Sequence, residues 1–265
     1  MTEDHKTVIF CFSATGNSLK LARDMASEIG SCKVEQIKEN TPVVIDDNYA
    51  GRIGFVFPVH AYGLPIIVRR FLKNLAIKGT PYIFAAVTCA GRPAAALIQL
   101  KKYIARKGKI LSAGFIINMP GSYLPLHDLQ EPYVIDRMYK VEETSVKYLA
   151  ERIKNKENYG IEAGKYSANR FVSFLVYLCF YFLHNIFDIF FRADGRCDGC
   201  GLCAHICPAG NISMADGRPK WRRRCVQCMA CLQWCPVESI QFFNTTKGKK
   251  RYKNPYVNPW DIIPR

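Results

Sequence analysis

The sequence predicts an α/β chain: a doubly wound parallel sheet followed by a small α+β module organised by cysteines. Three observations carry this. Apolar runs of strand length alternate with helical stretches through the N-terminal part. Each strand runs into a loop of small and polar residues. Two cysteine runs of identical spacing occupy the last quarter of the 265 residues.

Thr7 to Phe12 is the first strand, and it breaks at Ser13-Ala14-Thr15-Gly16-Asn17-Ser18. A helical pattern follows, with Leu19, Ala22, Met25, Ala26 and Ile29 on one face. Strand, small polar loop and helix make a phosphate cradle. Backbone N–H groups at the helix start, with the hydroxyls of Ser13, Thr15 and Ser18, hold a dianion without a cationic side chain. Gly16 lets the backbone approach the ligand. An ordinary capped helix is the plainer reading. The Gly-Lys-Ser/Thr of an ATP-type loop and the G-x-G-x-x-G of a dinucleotide site are both absent.

Arg52 to Phe57 is the next strand, ending in Pro58-Val59-His60-Ala61-Tyr62-Gly63-Leu64-Pro65. Tyr82 to Thr88 follows, ending in Cys89-Ala90-Gly91-Arg92-Pro93, and then Ile110 to Ile117, ending at Asn118 to Tyr123. Helical stretches fall near 64–75, 93–107 and 131–157. In such sheets ligands bind beyond the carboxyl ends of the strands, where the strand order reverses. All of these loops belong to that edge.

The cysteine runs are Cys197, Cys200, Cys203, Cys207 with Pro208, and Cys225, Cys228, Cys231, Cys235 with Pro236. Both read C-x2-C-x2-C-x3-C-P, the run that holds paired iron–sulfur cubanes in bacterial-type ferredoxins, where the fourth cysteine serves the other cluster. One [4Fe–4S] cluster then takes Cys197, Cys200, Cys203 and Cys235, and the other Cys225, Cys228, Cys231 and Cys207. Three thiolates two residues apart wrap three corners of a cube; a distant cysteine closes the fourth. Proline after each run turns the chain away. Structural zinc prefers separated pairs of C-x2-C hooks, and a disulfide framework belongs to a small secreted chain. Cys11, Cys32, Cys89 and Cys179 are scattered and read as free thiols.

Phe12 to Ser18 is similar to the phosphate loop of flavodoxins, and the Tyr62 and Cys89 loops resemble their two flavin-ring loops. Over nearly its full length the chain resembles a flavodoxin–ferredoxin fusion family of anaerobic bacteria, the EFR1 family. That family also carries segments like Trp234-Cys235-Pro236 and Arg251-Tyr252-Lys253-Asn254-Pro255. The resemblance implies a flavodoxin-like domain with flavin mononucleotide (FMN), and two [4Fe–4S] clusters in one electron-transfer unit. It places the phosphate on Ser13, Thr15, Gly16, Asn17 and Ser18. It places the ring against Pro58, His60, Ala61, Tyr62 and Gly63 on one side and Thr88, Cys89, Ala90 and Gly91 on the other, with Tyr62 stacking. Acidic residues are absent from both ring loops, which predicts easier full reduction than in an acidic flavodoxin.

The expected organisation is a flavodoxin-like domain over 1–165, a hydrophobic helical connector over 166–192, a ferredoxin module over 193–244 and a basic tail over 245–265. Asp216-Gly217-Arg218-Pro219 reads as a turn between the halves of the module. In the connector, Arg170, Ser173, Tyr177, Tyr181, His184, Asp188 and Arg192 recur at helical spacing as one polar stripe, with solid Phe, Leu, Val and Ile elsewhere. His184 and Asp188 are expected to pair. A membrane span would strand the two cofactor domains on opposite sides. Burial between domains, a homodimer through 171–191 and peripheral membrane contact are the readings that remain.

The formal charge is +15. Clusters and flavin lower it, and the remainder still suits acidic redox partners of the ferredoxin type. No nucleic-acid motif accompanies it. The polar start of the chain and the iron-committed thiolates point to the cytoplasm, in an oxygen-poor cell. The expected function is an electron carrier that joins a two-electron flavin to one-electron clusters. The alternative is a ferredoxin-dependent flavin reductase, with Tyr123 and His127 walling a pocket for a small organic substrate.

Overall fold

The computed structural model describes residues 6–38, 42–46, 49–91, 95–162 and 170–263, without the side chains of 170–172. The chain opens with β1 (Thr7–Cys11), α1 (Asn17–Ile29), β2 (Cys32–Gln36), β3 (Val43–Ile45), β4 (Arg52–Pro58) and α2 (Ile66–Asn74). It continues through β5 (Leu75–Ile77), β6 (Tyr82–Cys89), α3 (Ala96–Ala105), β7 (Ala113–Asn118), α4 (Pro132–Lys154) and β8 (Gly160–Ile161).

Six strands form one sheet in the order β2-β1-β4-β6-β7-β8, parallel at every pairing. β3 and β5 pair separately. Among the first five strands of the large sheet the order is second, first, third, fourth, fifth, which is the flavodoxin-like arrangement. The order reverses at β1 and β4, so the crevice beyond their carboxyl ends is the switch point. Alternation decides the two faces. Val8, Phe10, Ile53 and Phe55 meet α2 and α3 in one core, while Ile9, Cys11, Phe84 and Phe115 meet α1 and α4 in the other. Sheets buried on both sides read as continuous apolar runs, and this is why β1, β4 and β6 were legible. β2, with sequence Cys-Lys-Val-Glu-Gln, is a half-exposed edge strand without such a run, and the pattern did not predict it.

The connector is shorter than its apolar stretch. α5 (Arg170–Leu183) ends before His184, one 3-10 turn spans Ile186–Phe190, and β9 (Phe191–Ala193) follows. Tyr177, His184 and Asp188 of the polar stripe are buried. Tyr177 Oη donates to Leu64 O at 3.0 Å, and Tyr181 stacks under the Arg69 guanidinium at 3.9 Å. His184 and Asp188, expected to pair, each make a bond to another residue. The α-helical spacing is lost at the 3-10 turn. His184 Nδ1 faces Tyr181 O at 2.8 Å, and Asp188 accepts the Arg223 N–H at 2.6 Å. Among the described residues no helix is long and apolar enough to cross a membrane.

The cysteine module holds α6 (Leu202–His205), a hairpin of β10 (Ile212–Ala215) and β11 (Arg218–Trp221), α7 (Ala230–Trp234) and β12 (Ile240–Phe242). β12 pairs antiparallel with β9. The turn sits at Asp216 and Gly217, both at positive φ, the geometry that suits a tight hairpin. Arg218 and Pro219 belong to β11. The tail folds back over the sheet domain and ends in α8 (Pro259–Ile262), whose start is closed by a reciprocal Asn258–Asp261 cap.

Candidate cofactor site

The loop after β1 has the shape of an anion site. Gly16, at φ 100°, precedes the 13-residue α1. Lys20 N is bonded to Gly16 O at 2.8 Å, so the N–H groups of Asn17, Ser18 and Leu19 have no acceptor within the helix. Ser13 Oγ accepts the Gly16 N–H at 3.2 Å. Two of the expected donors are engaged elsewhere: Ser18 Oγ with Thr88 Oγ1 at 2.8 Å, and Asn17 Nδ2 with Pro120 O at 2.9 Å. Lys20 is not at the loop face. Burial disfavours its charge, but its hydrogen bonds to Asp24 at 2.5 Å and Glu142 at 2.6 Å outweigh that and hold its pKa above the usual lysine value.

A roof of distant residues lies across this loop. Trp234 Nε1 donates to Ala14 O at 2.9 Å. Asn254 N donates to Thr15 O at 2.8 Å. Tyr252 Oη and Asn254 Nδ2 both donate to Asn17 Oδ1, at 2.5 and 3.0 Å, and Tyr139 Oη meets Tyr252 Oη at 2.6 Å. Thr15, Asn17 and Ser18 are buried in consequence. The hollow beside Ser13 and Phe12, closed by Pro208 and Ile262, offers about 20 Å³, room for roughly one water. The backbone donors fit a phosphate; the closed roof makes access to them depend on the tail. Trp234, Tyr252 and Asn254 had a signal only in the family-like segments that contain them, and no role followed from it.

The loop after β4 is strained. His60 and Gly63 exchange backbone bonds of 3.0 and 2.8 Å, with Ala61 and Tyr62 at φ 43° and 68° between them. Non-glycine residues at such angles cost about 1–3 kcal/mol and gather at ligand sites. Tyr62 is 38% exposed. Gly63 is pinned from behind, since a Cβ there would stand 2.4 Å from the Tyr177 ring. His60 lies edge-on to Phe12 at 6.0 Å. Its Nδ1 is buried without a hydrogen-bond partner, and burial lowers its pKa to about 4. Pro58 closes β4, opposite Thr88. Cys89 Sγ donates to Asn118 Oδ1 at 3.4 Å; burial raises its pKa to about 11. Ala90 and Gly91 are exposed. Arg92 and Pro93 lie outside the described residues.

The motif cysteines feel one another across the two runs. The Cys203 thiol, raised to about 11 mainly by burial, also feels Cys235, Cys200 and Cys197. Cys225, raised to about 12 by burial, feels Cys207; Cys228 and Cys231 are pushed up by burial and then by Cys207. Metal charge is what turns such buried thiols into thiolates. Backbone N–H groups of Asn211, Gln227 and Ser239 each reach a sulfur, of Cys207, Cys225 and Cys235, at 3.3 Å. Among the described residues no three His, Cys, Asp or Glu converge on a single ion; a cubane asks for sulfurs spread about four irons.

The module docks on the switch-point edge. Val226, between two motif cysteines, is buried in the core that holds Phe12 and Phe57. Ile206, Ala230 and Trp234 join the core that holds Ala14 and Leu19. Gln233 Nε2 donates to Ser122 O at 2.7 Å. Tyr123 packs against the cysteine-module core, and burial followed by the nearby Cys225 raises its pKa. His127 is exposed, and Asp128 pairs with Lys249 at 3.0 Å.

Residues 196–240 match the family model for the 4Fe-4S dicluster domain. No curated protein matches the sequence. Among solved structures, a protein described as a flavoprotein from Bacteroides uniformis is 14% identical, with TM-score 0.37, covering 51% of this chain and 97% of its own. One from Bacteroides eggerthii is 14% identical, with TM-score 0.39, covering 56% and 98%. A flavodoxin from the Archaea is 13% identical, with TM-score 0.37, covering 56% and 99%. The strand order defines the sheet domain independently of these distant likenesses. The chain joins a flavodoxin-like α/β fold to a C-terminal 4Fe–4S ferredoxin domain.

Proposed function

We propose that this chain is an electron carrier of the EFR1 kind, coupling bound FMN to two [4Fe–4S] clusters. The burial of Val226 in the sheet-domain core carries the reading, because it holds a cluster-binding segment against the loops at the switch point. One cluster takes Cys197, Cys200, Cys203 and Cys235, and the other Cys225, Cys228, Cys231 and Cys207. The N–H groups of Asn17, Ser18 and Leu19, with the Ser13 and Thr15 hydroxyls, hold the phosphate. Tyr62 and the Ala90-Gly91 backbone hold the ring. Bound flavin supplies two-electron capacity, and each cluster passes one electron at a time. The chain's own part is to fix distance, exclude water and donate N–H bonds to sulfur, which tunes the potentials. The packing of Tyr123 on the cluster module supports a carrier over a reductase of small molecules. Basic charge suits acidic protein partners, and a reducing compartment such as the cytoplasm suits the thiolates.

Anaerobic purification with cofactor analysis tests this. About eight irons and one flavin per chain are expected. Cys235→Ser should remove the cluster of the first run and leave about four irons. Absence of flavin, or loss of the second run's cluster instead, overturns the assignment.

A further inference from the structure

The connector turns its amphipathic pattern inside out. Tyr177, His184 and Asp188 of its polar stripe face the protein, and its apolar side faces outward. Phe174, Leu175, Leu178, Phe182, Ile186 and Ile189 are between 37% and 66% exposed along this one face. Phe182, at 66%, is among the most exposed large hydrophobic side chains of the molecule. A row of exposed apolar residues of this size marks an interaction site.

The face has a charged end. Where α5 gives way to the 3-10 turn, an open hollow of about 700 Å³ is lined by His184, Asn185, Arg70, Lys73, Arg223 and Arg224. Among the described residues, no carboxylate lines it. Asp188, the acid nearest in sequence, is turned inward and 2% exposed, with its Oδ1 3.8 Å from Arg223 Nε. The Arg223 side chain stays 61% exposed. Leu183 and Ile186, which flank the hollow's His184 and Asn185, are themselves exposed at 42% and 45%. The apolar face therefore runs up to the cationic end along the chain.

Charge and area together choose the occupant. A helix of 14 residues is roughly 21 Å long, and the turn beyond it extends the strip to about 30 Å. With a helix width of about 10 Å the footprint is on the order of 300 Å². A stable protein interface needs about 800 Å² per partner, so a second copy seated on this strip would be underburied. A bilayer surface has no such area requirement, because apolar residues enter the acyl boundary and cations meet anionic headgroups.

We propose that the outer face of α5 and the turn after it seats on a lipid bilayer, with the cations at its end receiving anionic phosphate headgroups. The helix lies in the surface and does not cross it. The anchor would hold the cluster module and the sheet domain together at the membrane, within reach of membrane-bound redox partners.

Vesicle flotation of the anaerobic holoprotein tests this, with phosphatidylcholine vesicles and with vesicles containing 30% phosphatidylglycerol as probes. Binding to the anionic vesicles is expected, weakened at least tenfold by Phe174→Ser with Phe182→Ser. Lys73→Gln and Arg224→Gln should each weaken it about fivefold, the equivalent of about 1 kcal/mol per cation. All four side chains point outward, and unchanged circular dichroism and cluster absorbance verify the fold of each variant. Failure of the wild-type holoprotein to float overturns the proposal, as does flotation that none of the substitutions weakens. A dimer in sedimentation that the paired serine variant abolishes makes a second copy the occupant and also overturns it.

Discussion

Gly16→Ala is the sharpest test of the roof over the phosphate loop. At φ 100° an alanine crowds its own backbone, at a cost of about 1–2 kcal/mol. Its Cβ would stand 2.6 Å from Asn254 Cβ and 3.0 Å from Val257 Cβ, an overpacking of about 1–3 kcal/mol. The substitution should thus destabilise by about 2–5 kcal/mol. The two contributions separate in a cycle with Asn254→Gly. That change removes the atom against which the new methyl collides, and leaves the backbone strain in place. By itself it forfeits the bonds to Asn17 Oδ1 and from Tyr256 N, about 1 kcal/mol each. The double variant should recover most of the packing loss, giving a coupling of about 1–3 kcal/mol. Anaerobic urea unfolding, followed by tryptophan fluorescence and cluster absorbance, measures it. Additivity of the two substitutions within about 0.5 kcal/mol refutes the contact and with it the roof.

Three further outcomes follow from buried polar groups. Glu142→Gln removes a fully buried partner of Lys20; because Asp24 remains, thermal unfolding should show a loss of about 2–3 kcal/mol, below the usual range for a broken buried pair. Paired Lys20→Met and Glu142→Leu should restore most of it. Trp234→Phe leaves Ala14 O without its donor, so the module should loosen by about 1–3 kcal/mol, read as faster limited proteolysis between the domains. His60 has its folded pKa depressed to about 4, so between there and the ordinary histidine value near 6.5 the unfolded chain binds more protons. Stability is full above about pH 6.5 and declines as pH falls toward 4, by at most about 3 kcal/mol. His60→Phe should flatten that part of a stability–pH curve; an unchanged slope would assign it to other groups.

How much was legible depended on whether the cause was local. β1, β4 and β6 are buried on both faces and announce themselves as apolar runs, whereas β2 is held by pairing with β1 and carries no run. The phosphate loop was legible because Gly16 and the hydroxyls around it lie within six residues of chain. Its roof was not, because Asn254 reaches Asn17 across 237 positions. Asp188 shows the same limit. Helical spacing offered His184 as its partner, but a 3-10 turn removed that spacing and Arg223, 35 residues on, supplied the bond.

The sequence by itself determined the cysteine spacing, the alternation of strands and helices, and the loops at the carboxyl edge. These follow from ligand reach, side-chain periodicity and turn chemistry, which act over a few residues. Only the tertiary structure decided where the module docks, what covers the loop after β1, and which side of α5 faces outward. An amphipathic pattern states that a helix has two faces. Which face turns inward depends on the surface it meets, and here Arg69, Leu64 and Arg223 offered the polar stripe better partners than the apolar side could find.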